Sequence, residues 1–330
     1  MDNFDRRPRS LAFVLLPGFS LVTLGCAIEP FRMTNERSGR THFIYRTLGV
    51  RQREVSANDG LKIIADGVIG GDERWDIIFI VSSLSAVGFR DAKLASWLRR
   101  MARAGVTLGP LGAATVLAAR LGLLDDFKCV THWRLYSEFL EEFPRVKLGR
   151  GVYSMDRTRL TSAGGFATMD LGLRVIADIV EPRLAAEVAE IAMVSRIRPA
   201  SENQRMSVHW RYGINDERVI HAIELMESNL ENPLDLPAIA AAAGISLRQL
   251  ERLFAKCLAK HPLRHYLEIR LQRAHQLVVE TDDSVEIIAL KCGFSDAPHL
   301  CRQFKTHFGI SPSAARADAL NRRRPPKSSK

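Results

Sequence analysis

Residues 239–246 read Ile-Ala-Ala-Ala-Ala-Gly-Ile-Ser, and residues 288–295 read Ile-Ala-Leu-Lys-Cys-Gly-Phe-Ser. Both follow one pattern, Ile-Ala-(x)3-Gly-apolar-Ser. The likeness continues into Leu250, Arg252 and Phe254 after the first copy and Leu300, Arg302 and Phe304 after the second. The offset is 49 residues through the turn and 50 in the stretch that follows, so one residue is inserted after Ser295. Each element has a physical reason. Ile-Ala faces inward on a short helix. Gly closes that helix in a left-handed turn at no steric cost. The next apolar residue plugs the angle between helices, and a Ser or Asp then gives the free N–H groups of the following helix an acceptor. Leu and Phe four residues apart pack that second helix down. This is a helix-turn-helix, and its duplication sets it apart from a generic helical hairpin.

Between the copies lies Pro262–Glu280. Pro262 suits a helix N-terminus, and Leu263, Leu267, Arg270, Leu271, Ala274, Leu277 and Val278 recur at helical spacing. A single long helix is predicted here, holding the two units apart. Recognition helices entering successive major grooves must sit about 34 Å apart along the duplex.

The helix wheel assigns faces. Leu250, Leu253 and Phe254 point inward, leaving Arg248, Gln249, Glu251 and Arg252 outward near the start of the first recognition helix. On the second, Leu300 and Phe304 point inward and His299, Arg302 and Gln303 outward. Arg252 and Arg302 hold equivalent positions and are the candidates for base contact, since a bidentate arginine–guanine contact gives about 1–3 kcal/mol of discrimination. Lys256 and Lys305 are expected on phosphates, which position without specifying. Ala297 and Pro298 are poor base readers, so the second unit is expected to read fewer bases.

The segment from about Leu236 to Arg316 resembles the AraC/XylS DNA-binding domain. The resemblance is carried by Arg248-Gln249-Leu250-Glu251-Arg252-Leu253-Phe254, Tyr266-Leu267-(x)2-Arg270-Leu271, Ile288-Ala289-(x)3-Gly293-Phe294 and Phe304-Lys305-(x)2-Phe308-Gly309-Ile310-Ser311-Pro312. It implies double-stranded DNA as partner, with RNA polymerase as a second.

The chain has 330 residues, which suits two domains. Its net charge of +10 favours polyanionic partners. Yet residues 1–212 carry a net +7 and residues 213–330 only +3, so charge does not single out the helical part. The cysteines Cys26, Cys129, Cys257, Cys292 and Cys301 are odd in number and form no Cys-x-x-Cys pair. They read as reduced, mostly buried thiols of a cytoplasmic protein, with no metal site and no cofactor. No apolar run approaches 18 residues, and Leu11–Leu16 is cut by Pro17-Gly18, so neither a membrane span nor a signal peptide is expected.

The first half alternates apolar runs with amphipathic stretches. Strands are expected at Leu11–Leu16, Phe43–Leu48, Leu61–Ile64, Asp76–Val81, Val106–Leu108 and Lys128–His132. Helices are expected at Ser20–Arg37, Arg90–Ala104, Ala113–Leu121, Trp133–Phe143 and Ala167–Val180, with Arg183–Arg196 closing the domain. Such alternation predicts an α/β domain with a largely parallel sheet. The reading divides the chain into an α/β domain over 1–197, a linker over 198–212, an all-α double helix-turn-helix domain over 213–318 and a basic disordered tail over 319–330.

Residues 1–197 resemble the ThiJ/PfpI, or class I glutamine amidotransferase-like, domain, which has a flavodoxin-like parallel-sheet sandwich. Joined to an AraC-type domain, this resembles the GlxA-type regulators. The resemblance rests on Leu15-Leu16-Pro17-Gly18-Phe19, Ile28-Glu29-Pro30-Phe31-Arg32, Leu117-Ala118, Gly122-Leu123-Leu124-Asp125 and Thr131-His132-Trp133. Active relatives place a cysteine on a sharp strand-to-helix elbow. Alignment on Gly122-Leu123-Leu124 puts Gly112 there, within Gly109-Pro110-Leu111-Gly112-Ala113-Ala114. Glycine has no nucleophile, and neither Thr115 nor Cys129 sits at the elbow. The chain is therefore expected not to be an enzyme.

The resemblance implies that Glu29, Gly112, His132 and Trp133 line the old cleft as an effector site. Glu29 would pair with an amine and Trp133 would offer a cation–π face. Relatives with the pattern of Ile28–Met33 imply an activator of catabolic genes that answers to a small amine, betaine or amino-acid-like effector and acts as a homodimer on repeated half-sites. Two alternatives stay open: an orphan DNA-binding regulator whose first domain only dimerises, and an enzyme of the ThiJ/PfpI type.

Overall fold

A computed structural model describes residues 7–71, 73–281 and 283–323. The chain divides into two compact units, with the boundary between Arg205 and Met206. The first comprises β1 (Arg9–Leu15), α1 (Leu21–Ser38), β2 (Phe43–Gly49), β3 (Glu54–Ser56), β4 (Lys62–Ile64), β5 (Gly67–Val68), β6 (Ile77–Val81), α2 (Ala92–Arg103), β7 (Thr107–Leu111), α3 (Ala114–Arg120), β8 (Lys128–Cys129), α4 (Tyr136–Glu142), β9 (Lys147–Leu148), β10 (Tyr153–Asp156), β11 (Arg159–Ser162), α5 (Ala167–Ile179) and α6 (Pro182–Ile191).

The main sheet runs β10-β11-β7-β6-β1-β2-β5. Every pairing in it is parallel except β10 with β11. Strand alternation sends Leu11, Phe13 and Leu15 into one core with Phe31 of α1 and Leu171 of α5. Ala12, Val14 and Leu16 go into the other, with Leu94 and Trp97 of α2 and Leu117 of α3. Helices thus cover both faces, which is why Ile77–Val81 is apolar throughout and wholly buried.

Two expected strands lie outside the main sheet. Leu61–Ile64 supplies β4, which pairs with β3 in a two-stranded ribbon. Lys128–His132 was expected in the main sheet, but β8 pairs with β9 in a separate ribbon, and β11 fills the place beside β7. Arg159-Leu160-Thr161-Ser162 does not look like a core strand, yet all four residues are buried. Its polar groups find their partners within the fold. Arg159 Nε donates to the Leu123 carbonyl at 2.6 Å, Thr161 Oγ1 accepts from Val130 N–H at 2.9 Å, and the Ser162 and Thr168 hydroxyls share a 2.9 Å bond.

The stretch 198–212, expected as a linker, is shared between the units. Arg198 pairs with buried Asp170 at 2.7 Å, Val152 N–H donates to the Ala200 carbonyl at 3.1 Å, and Gly151 bridges Asn203. Residues 198–205 are therefore a strap on the first unit. Residues Val208–Tyr212 form α7, whose Val208 is buried in the second unit.

The second unit continues with α8 (Glu217–Ser228), α9 (Leu236–Ala242), α10 (Leu247–Leu258), α11 (Pro262–Glu280), α12 (Val285–Lys291), α13 (Ala297–Phe308) and α14 (Pro312–Arg323). The repeat is visible residue by residue. Ile239, Leu250 and Phe254 are fully buried in one core, and Ile288, Leu300 and Phe304 in another. Gly244 and Gly293 adopt φ of +72° and +68°, the left-handed turn the pattern required. Helix α11 is a single helix of 19 residues, about 28 Å long at 1.5 Å per residue. It gives Tyr266 to the first core and Leu271, Ala274, Leu277 and Val278 to the second. Leu263, expected on its apolar face, is exposed. Ala319–Arg323, expected in a disordered tail, belong to α14, and residues 324–330 lie outside the described residues. No helix among the described residues is long and apolar enough to cross a membrane.

Candidate nucleic-acid interface and effector cleft

The recognition helices α10 and α13 begin differently. At α10, Gln249 N–H donates to Ser246 Oγ at 3.3 Å and Ser246 N–H donates to Gln249 Oε1 at 2.9 Å, a reciprocal capping box. At α13 the cap is Asp296, whose carboxylate accepts from His299 N–H at 2.6 Å. That bond, with a second from the Ser295 hydroxyl, holds the Asp296 carboxyl below its ordinary pKa.

Arg248, Arg252 and Lys256 are exposed on α10, and Arg302 and Lys305 on α13. Arg252 and Arg302 make no ion pair among the described residues. Both stand two residues after a buried leucine, Leu250 or Leu300, and two before a buried phenylalanine, Phe254 or Phe304. Other expected contacts are partly engaged inside the protein. The Gln249 side-chain carbonyl is used in the cap. Glu251 lies 3.3 Å from His261 Nε2. His299 Nδ1 is 3.2 Å from Ser295 Oγ, and its ring stands edge-on to Phe294. Gln303 is half-buried.

One residue has a structural role that neither the helical spacing nor the motif it belongs to revealed. Arg270 of α11 donates through Nε to the Cys292 carbonyl at 2.8 Å and through Nη2 to the Gly293 carbonyl, and its guanidinium lies 4.4 Å from the centre of the Phe294 ring. It ties the spacer helix to the second turn and takes up carbonyls at the end of α12 that the helix leaves unpaired.

In the first unit, Gly112 follows β7 with φ of +60°, and its N–H donates to the Ser162 carbonyl at 2.8 Å. The elbow is thus built although it carries no side chain. A Cβ there would meet Gly164 Cα at 3.4 Å. Thr115 is wholly buried, its hydroxyl 3.0 Å from the Gly112 carbonyl and 3.1 Å from that of Val130. Burial pushes the Cys129 thiol up to about 12 and the Cys26 thiol to about 11, so neither offers a thiolate near neutrality.

Thr131 Oγ1 lies 3.5 Å from the Gly112 carbonyl, and His132 and Trp133 directly follow Thr131 in the chain. His132 Nδ1 accepts from Arg134 N–H at 3.2 Å. Burial, and then nearby Arg134, lower its pKa to about 4, so its ring is neutral at pH 7. Trp133 is 36% exposed, but its ring already faces two guanidiniums of this chain, Arg134 at 5.4 Å and Arg205 at 4.9 Å from the centroid. Glu29 differs from expectation, because its carboxylate is held by Arg32 one turn along α1, with Nη2–Oε2 at 2.8 Å. The α1 side chain that reaches the loop against Gly112 is Thr23, whose Oγ1 accepts from Gly165 N–H at 2.9 Å. Among the described residues no group of three or more His, Cys, Asp or Glu is placed to hold a metal ion.

Residues 239–318 match the family described as a helix-turn-helix domain. Over 93% of its length the chain is 37% identical to the HTH-type transcriptional regulator GbdR of Pseudomonas aeruginosa, covering 84% of that protein. The chain belongs to the GlxA/GbdR-type AraC-family transcriptional regulators. It is also 28% identical to the transcriptional regulator GlxA of Rhizobium meliloti, over 94% of this chain and 97% of that one. Among solved structures, an AraC family transcriptional regulator from Pseudomonas putida matches 56% of the chain and all of its own at a TM-score of 0.52 and 25% identity. Drosophila melanogaster DJ-1beta matches 58% of the chain and all of its own at 0.50 and 15%, a likeness of fold alone.

AraC-family membership makes this chain a DNA-binding transcriptional regulator, with a DJ-1/ThiJ-type first unit and a helical second. In this part of the first unit the sequence singled out Gly112, His132 and Trp133. Thr23 and Arg205 carried no signal of their own, since their positions depend on how distant segments fold back.

Proposed function

We propose that the chain is a ligand-responsive activator that reads two successive stretches of major groove through α10 and α13. Arg252 and Arg302 contact base edges, and Lys256 and Lys305 contact phosphates. The observation that carries this reading is the placement of two exposed arginines at equivalent positions of a duplicated fold, on either side of one continuous helix. The first unit acts without catalysis: its elbow has no nucleophile, and the two candidate substitutes are tied up or held protonated. It serves as the sensor and the dimer contact, answering to a small amine, betaine or amino-acid-like cation at His132 and Trp133. RNA polymerase is the partner through which it activates.

Titration of the chain on its operator and on random duplex tests the DNA half. Arg252→Ala and Arg302→Ala should weaken the operator complex while leaving random DNA nearly unchanged. Lys256→Ala should weaken both and reduce the salt slope by about one. Equal losses on both duplexes for the arginines would mean that they touch phosphates only. Calorimetry against amines and amino acids tests the sensor, and binding that survives Trp133→Ala would reject this cleft. The runner-up, a regulator whose first unit only dimerises, draws support from the guanidiniums already on Trp133. It predicts the same footprint with and without any such compound.

A further inference from the structure

Residues 198–205 are fastened to the first unit along their length. Arg198 holds Asp170, Ala200 accepts from Val152, and Asn203 bridges Gly151. The last two residues fasten at Thr131, Gly151 and Trp133. Gln204 Nε2 donates to the Thr131 carbonyl at 2.9 Å and to the Gly151 carbonyl at 2.8 Å. Two carbonyl partners fix which end of the amide is nitrogen. The other end, Gln204 Oε1, is buried with no hydrogen-bond partner, and an unmet acceptor of this kind weakens the fastening. Arg205 then lays its guanidinium 4.9 Å from the centre of the Trp133 ring, where Arg134 also lies within 5.4 Å. Arg205 is also the last residue before the second unit begins.

We propose that Arg205 is an internal stand-in for the effector: a small organic cation taking the Trp133 ring displaces it and unfastens the 198–205 strap that leads into the DNA-binding unit. The inference rests on the effector reading above and adds how occupancy leaves the first unit. A cation needs only the aromatic face that Arg205 vacates. A neutral molecule of the same shape gains no such attraction and leaves the strap in place.

Tetramethylammonium and its neutral isostere tert-butanol are the probes, used on the full chain. Arg205→Met keeps the apolar stem and removes the competing charge. It should bind tetramethylammonium about two- to fivefold more tightly than the unaltered chain, the value of one exposed cation–π contact. Trp133→Leu should abolish binding in either background. Saturating tetramethylammonium should also speed hydrogen exchange at the Val152 amide, which the strap protects through Ala200, while tert-butanol should not. Equal affinity of the unaltered and Arg205→Met chains, or an unchanged Val152 rate, overturns the competition and leaves a cation-binding cleft standing. Absence of binding to both chains removes the effector reading, and the stand-in with it.

Discussion

The two halves of the DNA-binding unit repeat one core pattern in two separate cores and differ in the surface around them. Ile239, Ala240, Leu250 and Phe254 have their counterparts in Ile288, Ala289, Leu300 and Phe304, each at most 1% exposed. Around these identical anchors the helix starts diverge. The first half opens on a neutral capping box followed by Arg248 and Arg252. The second opens on the carboxylate of Asp296, a proline, and a histidine held against Phe294. A duplicated fold keeps what packing demands, because an ill-fitting core costs several kcal/mol. It is free to change the residues that face solvent. Packing therefore holds the two cores alike, while the helix starts and the residues facing solvent are free to differ between the halves.

If the cores are equivalent, deleting either anchor should cost alike. Phe254→Ala and Phe304→Ala should each destabilise by about 3–5 kcal/mol in urea unfolding. A cheap loss in one half would show that its core can collapse around the gap and that the halves are not equivalent. The surfaces should separate them next. Arg252→Ala and Arg302→Ala should each cost about 1–3 kcal/mol of operator binding, measured by fluorescence anisotropy. Because α13 begins with Ala297, Pro298 and an engaged His299, the first half should lose the more.

Much of this was legible in the sequence, for physical reasons. The repeat was readable because Gly244 and Gly293 have a conformational job few other residues do, and because Leu-Phe spacing marks one helix face. The parallel sheet was readable where strands are purely apolar, as at Ile77–Val81. The strand Arg159–Ser162 was hidden because burial there is balanced by hydrogen bonds to distant partners, Leu123, Val130 and Thr168, that only the fold supplies. The brace at Arg270 and the strap ending at Arg205 were hidden for the same reason. The Glu29–Arg32 pair was legible, because the two stand three apart on an expected helix and such side chains meet.

Smaller effects sharpen the contrast at the helix caps. Ser246→Ala removes the acceptor for Gln249 N–H and should cost about 1 kcal/mol of stability by thermal unfolding. Asp296 caps with a charge, and its folded pKa lies below the ordinary 3.8. Its contribution is therefore present above 3.8 and is lost as pH falls through the depressed value. The Ser246 cap has no such titration. Hydrogen exchange at the start of α13 should rise in acid through that range once other acid-induced opening is subtracted with Asp296→Asn, while α10 shows no matching step.

The most direct test selects operators from a pool of random duplexes with the full chain and with each arginine variant. The unaltered chain should select two blocks of preferred bases about one helical turn, roughly 10 base pairs, apart. Arg252→Ala should blur one block and Arg302→Ala the other. If both variants select the same sequence as the unaltered chain, the bases are read elsewhere and the assignment of these two arginines is wrong.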